Sequence, residues 1–251
     1  MLAAHRFTYS ERKRAAKSAS AVPIRPPAVK KAGAADARAR AEIAVTARKI
    51  KMTAIQSLDG EILTVMIFEE KKIALKDGRT AVFRTPEVED AEKMLNYIKT
   101  ACGETEYLLR YPEEWDGASI EGEEKWIKGL RDSQNSLAIA CYVDGEIVGN
   151  CEISFRSGIK TSHRAGVAIA ILREYWNLGI GSAMFEELIS AVEARAEIQI
   201  VELQFMEGND RAKALYEKYG FKIVGERPNA FKLKDGRLLK EYFMQKELKK
   251  K

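Results

Sequence analysis

Two short stretches hold residue types whose spacing could do chemistry. In "LREYWNLGIGSAM", Leu172 to Met184, Gly179 and Gly181 stand one residue apart. They follow "AGVAIAIL" (165–172), which reads as a buried strand, and precede Met184, Phe185, Leu188, Ile189 and Val192 at helical spacing. Unpaired N–H groups at a helix start, together with the helix dipole, suit an anion, and glycine lets a phosphate approach the backbone with no Cβ in the way. Trp176, Asn177, Leu178, Gly179, Ile180, Gly181 and Ser182 therefore form a candidate phosphate cradle. A dinucleotide fingerprint does not fit, because its third glycine would fall at Met184, and a Walker loop would need a Gly-Lys-Ser/Thr that this junction lacks. For the glycines alone, a plain tight turn competes with the cradle.

The second stretch, "VELQFMEGNDRAKALYEKYGF", separates the two readings. Asn209 ends a strand, Tyr216 follows seven residues later on a similar helical face, Gly220 stops the helix, and Phe221 opens the next strand. With both stretches in view, "REYWNLGIGSAMFEELI" resembles motif A of the GNAT superfamily of N-acetyltransferases, Gln/Arg-x-x-Gly-x-Gly/Ala. "NDRAKALYEKYGF" resembles their motif B, and "KLKDGRLLKEYFMQKEL" is similar to their closing hairpin. The resemblance covers about residues 76–248. One position departs from it: the Gln or Arg that usually opens motif A is Trp176 here.

The resemblance implies acetyl-CoA as co-substrate, no metal, and direct transfer of the acetyl group to a primary amine of a small molecule or a protein. It implies that main-chain N–H groups of 176–182 hold the pyrophosphate, so Trp176 removes a side-chain contact and leaves the cradle. Ile171, Leu172 and Arg173 match the strand end whose backbone pairs with pantetheine, and an N–H near Ile171 matches the oxyanion donor. Asn209 matches a position that bonds the pantetheine arm, with a helix N-cap as its competing role. Tyr216 matches the general acid that protonates the departing thiolate, against a plain packing role. The general base is not assigned: Glu152 and Glu202 sit on strands beside the expected cleft, where outward-facing carboxylates are common. A non-catalytic acyl-CoA-binding regulatory module is the alternative, and it would not need Tyr216.

The elements that must position these residues follow from pattern. A hairpin signal lies around Asp77-Gly78, helices at 87–103 and 119–131, and a hairpin turned by Asp144-Gly145 over 136–155. Strands are expected at 198–206, 221–228 and 238–248, and "EILTVMIF" (61–68) reads as an extra strand. The fold class is α/β of the α+β type: a mixed, mostly antiparallel central sheet flanked by helices, the GNAT fold.

Composition bounds the rest. The 251 residues carry a net charge of +5, which divides into +10 over residues 1–51 and −5 over the remainder. Residues 1–51, rich in Ala, Lys, Arg and Pro, hold too few large apolar residues for a core and are expected to be a disordered basic extension. An organellar targeting segment or an internal start at Met52 or Met66 are its other readings. The catalytic domain is expected at 76–250, with 52–75 a connector or extra strand. A mildly acidic body disfavours nucleic acid as a partner except through 1–51. No apolar run approaches the roughly 18 residues of a membrane span. Cys102, Cys141 and Cys151 form no metal or disulfide pattern, which fits a reducing cytoplasm, and a homodimer is compatible. Residues 104–124 hold eight acids against Arg110 alone, so an acidic wall that attracts a cationic amine competes with a solvated helix face.

Overall fold

The computed structural model describes residues 50–56 and 62–248. The extension expected at 1–51 lies outside the described residues up to 49, and its last two residues open a strand. That strand, β1 (Ile50–Gln56), pairs antiparallel with β2 (Ile62–Phe68) in a separate two-stranded sheet. Val65, Met66 and Phe68 of β2 are buried, so this hairpin contributes to the protein core. The amide of Phe68 donates to Thr85 Oγ1 (2.9 Å), and that of Thr85 donates to Phe68 O (3.4 Å), fastening β2 to the main body.

The main sheet has eight strands. β3 (Lys71–Ala74) and β4 (Thr80–Arg84) form the first hairpin, so the sheet starts before residue 76. α1 (Ala91–Glu104) and α2 (Ile120–Arg131) follow, the latter capped by Ser119, whose Oγ accepts from the amide of Gly122 at 3.1 Å. β5 (Ser136–Val143) and β6 (Glu146–Phe155) turn through Asp144 and Gly145 with φ of 51° and 84°, the two left-handed residues of a tight hairpin turn. Then come β7 (Arg164–Ile171), α3 (Ile180–Glu193), β8 (Ile200–Met206), α4 (Asp210–Lys218), β9 (Lys222–Lys232) and β10 (Leu238–Glu247). The order across the sheet is β3-β4-β5-β6-β7-β8-β10-β9, and every pairing is antiparallel except β7 with β8. A parallel neighbour needs a crossover, and α3 supplies it.

Strand alternation gives the sheet two apolar faces. On one, α3 buries Met184, Phe185, Leu188, Ile189 and Val192 with Cys141, Cys151 and Ile153. Each such large side chain contributes roughly 1.5–3 kcal/mol when fully buried. On the other, α1 lays Met94, Tyr97, Ile98 and Cys102 against Ala140, Tyr142 and Ile147. Cys141 pairs in register with Gly149 and Cys151 with Ile139, so the two thiols are not opposed, and both are buried and free. No helix among the described residues is long and apolar enough to cross a membrane.

Asp90, at the start of α1, ties three elements together. It accepts both Arg84 guanidinium nitrogens (2.7 and 2.9 Å), the buried Tyr142 hydroxyl (2.8 Å) and the Glu87 amide (2.8 Å). Burial alone would raise the carboxyl pKa, but Arg84, the Glu87 amide and the Tyr142 hydroxyl outweigh it and hold it below 3.8. Such a carboxylate adds stability that is full above the unfolded pKa and is lost as pH falls through the lowered folded one. Asp90→Ala should cost about 3 kcal/mol at pH 7. In urea titrations the gap between wild type and variant should narrow below about pH 4; a gap that stays constant to pH 2 would contradict this.

Candidate active site

β7 and β8 run parallel for only three residue pairs, Arg164–Ile200 to Gly166–Glu202, and then part. Beyond that point each strand follows its other neighbour: β7 stays on β6 as far as Ile171–Gly149, and β8 stays on β10 through Met206–Glu241. Leu172 gives its N–H to Val148 O (2.9 Å), so by ladder alternation the N–H and C=O of Ile169 and Ile171 turn away from β6, into the gap. A cleft of about 810 Å³ opens there. Val167, Ala168, Ile169 and Ile171 line one bank and Gln204, Phe205 and Met206 the other. A strand edge exposed inside a sheet leaves backbone donors and acceptors that an extended, amide-bearing ligand can satisfy.

The start of α3 closes one end of the cleft. Asn177 and Gly179 both adopt left-handed backbone, φ 65° and 97°, and the turn they make lets the helix begin at the cleft wall. The N-cap is Gly179, which has no side chain to satisfy the first N–H groups of α3. Space beside it is open, since a Cβ there would meet nothing within 4 Å. Gly181 is needed for close approach instead: its Cβ would stand 3.3 Å from Ile171 Cδ1 and 3.7 Å from Leu215 Cδ2.

Of the candidate residues, Ile171, Trp176, Asn177, Gly179, Gly181, Ser182, Asn209 and Tyr216 line the cleft. The other four, Leu172, Arg173, Leu178 and Ile180, are expected to act through their backbone, and their side chains lie outside the cleft lining. Leu172 packs in the α1-side core and Leu178 against the α3-side core. Ile180 is buried in the core. Arg173 is drawn to the end of α1, where its amide donates to Glu104 Oε2 (2.6 Å) and its guanidinium to Glu104 O. Each of these side chains faces a neighbour far away in sequence, which local pattern does not register.

Asn209 is the N-cap of α4: its Oδ1 accepts from the amide of Ala212 at 3.2 Å, while the residue also borders the cleft. Tyr216 is 7% exposed, among Phe185, Phe205 and Phe221 with ring centroids 5.5, 6.1 and 6.3 Å away. Burial pushes its phenol well above the ordinary value, so the hydroxyl holds its proton throughout the neutral range.

The cleft lining also draws on Tyr107, Leu108 and Leu109, from the loop between α1 and α2, and on Phe231 of β9 and Glu241 of β10. Glu241 is 7% exposed, with Oε2 2.6 Å from Arg227 Nη2. Sequence reasoning missed it, because nothing local sets it apart on an amphipathic strand. Glu202 is engaged by Arg156 (2.9 Å) and by Arg164.

Three of the eight acids in 104–124 meet cations from elsewhere: Glu106 pairs with Arg237 (2.8 Å), Glu113 with Lys234, and Asp116 with Lys99 (2.5 Å). The Glu104 carboxylate accepts the Arg173 amide instead. Lys234 and Arg237 come from the β9–β10 turn. Tyr111 Oη also accepts the Lys234 amide (3.1 Å), so the turn is clamped onto the loop.

Residues 103–221 match the acetyltransferase (GNAT) family model. The chain is 28% identical over 119 residues to the L-amino acid N-acetyltransferase AaaT of Escherichia coli, covering 47% of this chain and 73% of that protein. It is 30% identical over 109 residues to an N-alpha-acetyltransferase of Sulfurisphaera tokodaii, covering 39% of this chain and 64% of that one. In fold it is similar to a GNAT-family acetyltransferase from Streptococcus pneumoniae, with a TM-score of 0.62 at 24% identity over 67% of this chain and 99% of that one. It is also similar to yncA of Salmonella typhimurium, whose structure holds its cofactor acetyl-CoA, with a TM-score of 0.57 at 17% identity over 67% and 94% of the two chains. Residues 103–221 thus match a GNAT-family acetyltransferase domain, and the protein is an acyltransferase.

Proposed function

We propose that this enzyme moves the acetyl group of acetyl-CoA directly to a primary amine, with no covalent enzyme intermediate. The observation that carries this reading is the parting of β7 and β8, which opens one cleft onto both the start of α3 and Tyr216. The residues present fit acetyl-CoA, which supplies the acetyl group as a thioester. The inward-turned backbone of Ile169 and the N–H of Ile171 suit the amides of a pantetheine arm, while the Ile171 carbonyl already accepts Trp176 Nε1. The first N–H groups of α3, with open space beside Gly179, suit a pyrophosphate. Trp176, Asn177, Gly181, Ser182 and Asn209 frame that end. Tyr216 Oη holds a proton that it can give to a departing thiolate. A regulatory module that only binds acyl-CoA would have no use for that proton donor.

An α-amino group is the acceptor favoured here. One curated relative is named for L-amino acids and the other as an N-alpha-acetyltransferase. Glu241 lines the cleft with Leu108, Leu109 and Phe231, and the carboxylate oxygen that Arg227 does not hold can accept a hydrogen bond from an ammonium group next to an apolar side chain. Glu241→Gln should raise KM for the amine about tenfold, the scale of one charge-assisted contact, and leave CoA affinity unchanged. An unchanged amine KM would remove Glu241 from the acceptor site.

The same proposal assigns catalysis to the eight-stranded sheet and its helices, treats residues 1–49 as a separate extension, and places the enzyme in the cytoplasm, which suits three buried free thiols. The test is thiol release from acetyl-CoA across a panel of free amino acids, peptides with free N-termini, and polyamines. No release above hydrolysis with any amine, from a folded protein that binds CoA, would favour the binding module instead.

A further inference from the structure

Arg211 sits in the first turn of α4, where a cation opposes the helix dipole. Its guanidinium lies 4.7 Å from the centroid of the Trp176 ring, and its Nη1 donates to Asn177 Oδ1 at 2.9 Å. The ring is fixed in turn, because Trp176 Nε1 donates to Ile171 O at 2.7 Å. Arg211 lines the cleft, yet no carboxylate pairs with it among the described residues. Arg79, Arg84, Arg131, Arg227 and Arg237 each have a carboxylate partner at 2.6–2.8 Å.

Three unfavourable features therefore meet at one side chain: an adverse helix dipole, partial loss of water, and the lack of an anionic partner. Burial lowers its pKa accordingly. A bound anion would offset all three. One guanidinium N–H is used by Asn177, and the remaining donors of the fork are available to one. The guanidinium is carried by Trp176, the residue that stands where the related motif has Gln or Arg. Indole cannot bond a phosphate oxygen with a nitrogen already committed to Ile171 O, but its face can hold a cation that does.

We infer that Arg211, seated on Trp176 and aligned by Asn177, is the side-chain ligand for the pyrophosphate of CoA, in place of the motif residue that this chain lacks. This assignment rests on the acetyl-CoA reading above and adds a named cation to it. Lys218, which also borders the cleft and donates to Ser182 Oγ at 3.0 Å, lies one side of α3's first turn and is a second, weaker positive charge there.

Calorimetry on the full chain separates the possibilities, using CoA, dephospho-CoA (which lacks the 3′-phosphate) and pantetheine (which lacks all phosphates). Arg211→Met keeps the aliphatic stem and removes the charge. It should weaken CoA and dephospho-CoA by a similar factor, roughly 10- to 100-fold, and leave pantetheine unchanged. Trp176→Leu should reproduce much of that loss, since it removes the platform, and Arg211→Lys should recover only part of the affinity because the planar fork is gone. Unchanged CoA affinity in Arg211→Met would overturn the inference, as would an equal loss for pantetheine. A loss confined to CoA and absent with dephospho-CoA would move Arg211 to the 3′-phosphate and overturn the pyrophosphate assignment. Should Arg211→Met fail to fold, Arg211→Lys carries the same three-ligand comparison. A wild-type chain that binds no CoA would sink the acetyl-CoA reading itself, a result distinct from wild-type binding that ignores Arg211.

Discussion

Tyr216→Phe is expected to lower turnover by roughly 10- to 1,000-fold while acetyl-CoA affinity stays within about twofold. The substitution keeps the ring among Phe185, Phe205 and Phe221 and removes only the hydroxyl, so packing is nearly preserved. Burial keeps the phenol protonated, so it can donate a hydrogen bond to the charge that develops on a leaving sulfur, while the same upward shift makes it a weaker acid than an exposed tyrosine. The raised pKa also has a sign: because the phenol stays protonated, its ionisation should not depress turnover below about pH 10. Turnover and equilibrium binding should be measured on the same folded variant. A silent variant would leave Tyr216 as a packing residue, and a parallel loss of affinity would make it an anchor for the thioester.

Phe68→Ala should destabilise the protein by about 3–5 kcal/mol, the range for truncating a buried aromatic side chain. Phe68 is 2% exposed and belongs to the α3-side core along with Phe83, Leu137 and Phe155. Against a total stability of about 5–15 kcal/mol, that loss should appear as a fall in melting temperature on the order of 10 °C in scanning calorimetry. A change under about 1 kcal/mol would mean that β2 is an accessory to the domain. The expected loss would mean that shortened versions of the chain must retain residues from β1 onward, since β2 has β1 as its strand partner.

Elements that repeat a local rule were legible from the sequence. The Asp144-Gly145 turn fixed a hairpin, five apolar side chains at helical spacing fixed the buried face of α3, and the Gly-x-Gly marked its start at the cleft. The cleft residues of the two motifs, Ile171, Gly181, Asn209 and Tyr216, were legible because motif spacing fixes their place on a strand end or a helix face. What escaped depends on pairs distant in sequence. The Arg173 guanidinium is held by the Glu104 carbonyl at the end of α1, a partner sixty-nine residues away. For the eight acids of 104–124, an acidic wall and a solvated face stayed open as readings because Lys234 and Arg237, which pair with two of them, arrive from more than a hundred residues away. Glu241 and Arg211 have ordinary local surroundings, and only the folded arrangement shows one facing a cleft and the other lacking an anion. Of the β1–β2 hairpin, β2 was legible in "EILTVMIF", and β1 escaped for a further reason. It begins inside a basic stretch whose composition argues against order, and pairing with β2 overrides that prior.

The clamped β9–β10 turn has a consequence for how such an enzyme could change over evolutionary time. The donor half of the cleft is drawn from one continuous stretch, β7 to α4, in which strand edge, helix start and phenol constrain one another. The opposite half is assembled from a loop before that stretch and a hairpin after it, joined by surface contacts such as Tyr111 with Lys234 and Glu106 with Arg237. Where the acceptor binds in that half, exchanges in the turn at 233–237 or the loop at 105–111 would reshape its chamber while leaving the β7-to-α4 stretch untouched. On the reading proposed here, acceptor preference is the evolvable half of the molecule and donor chemistry the inherited one.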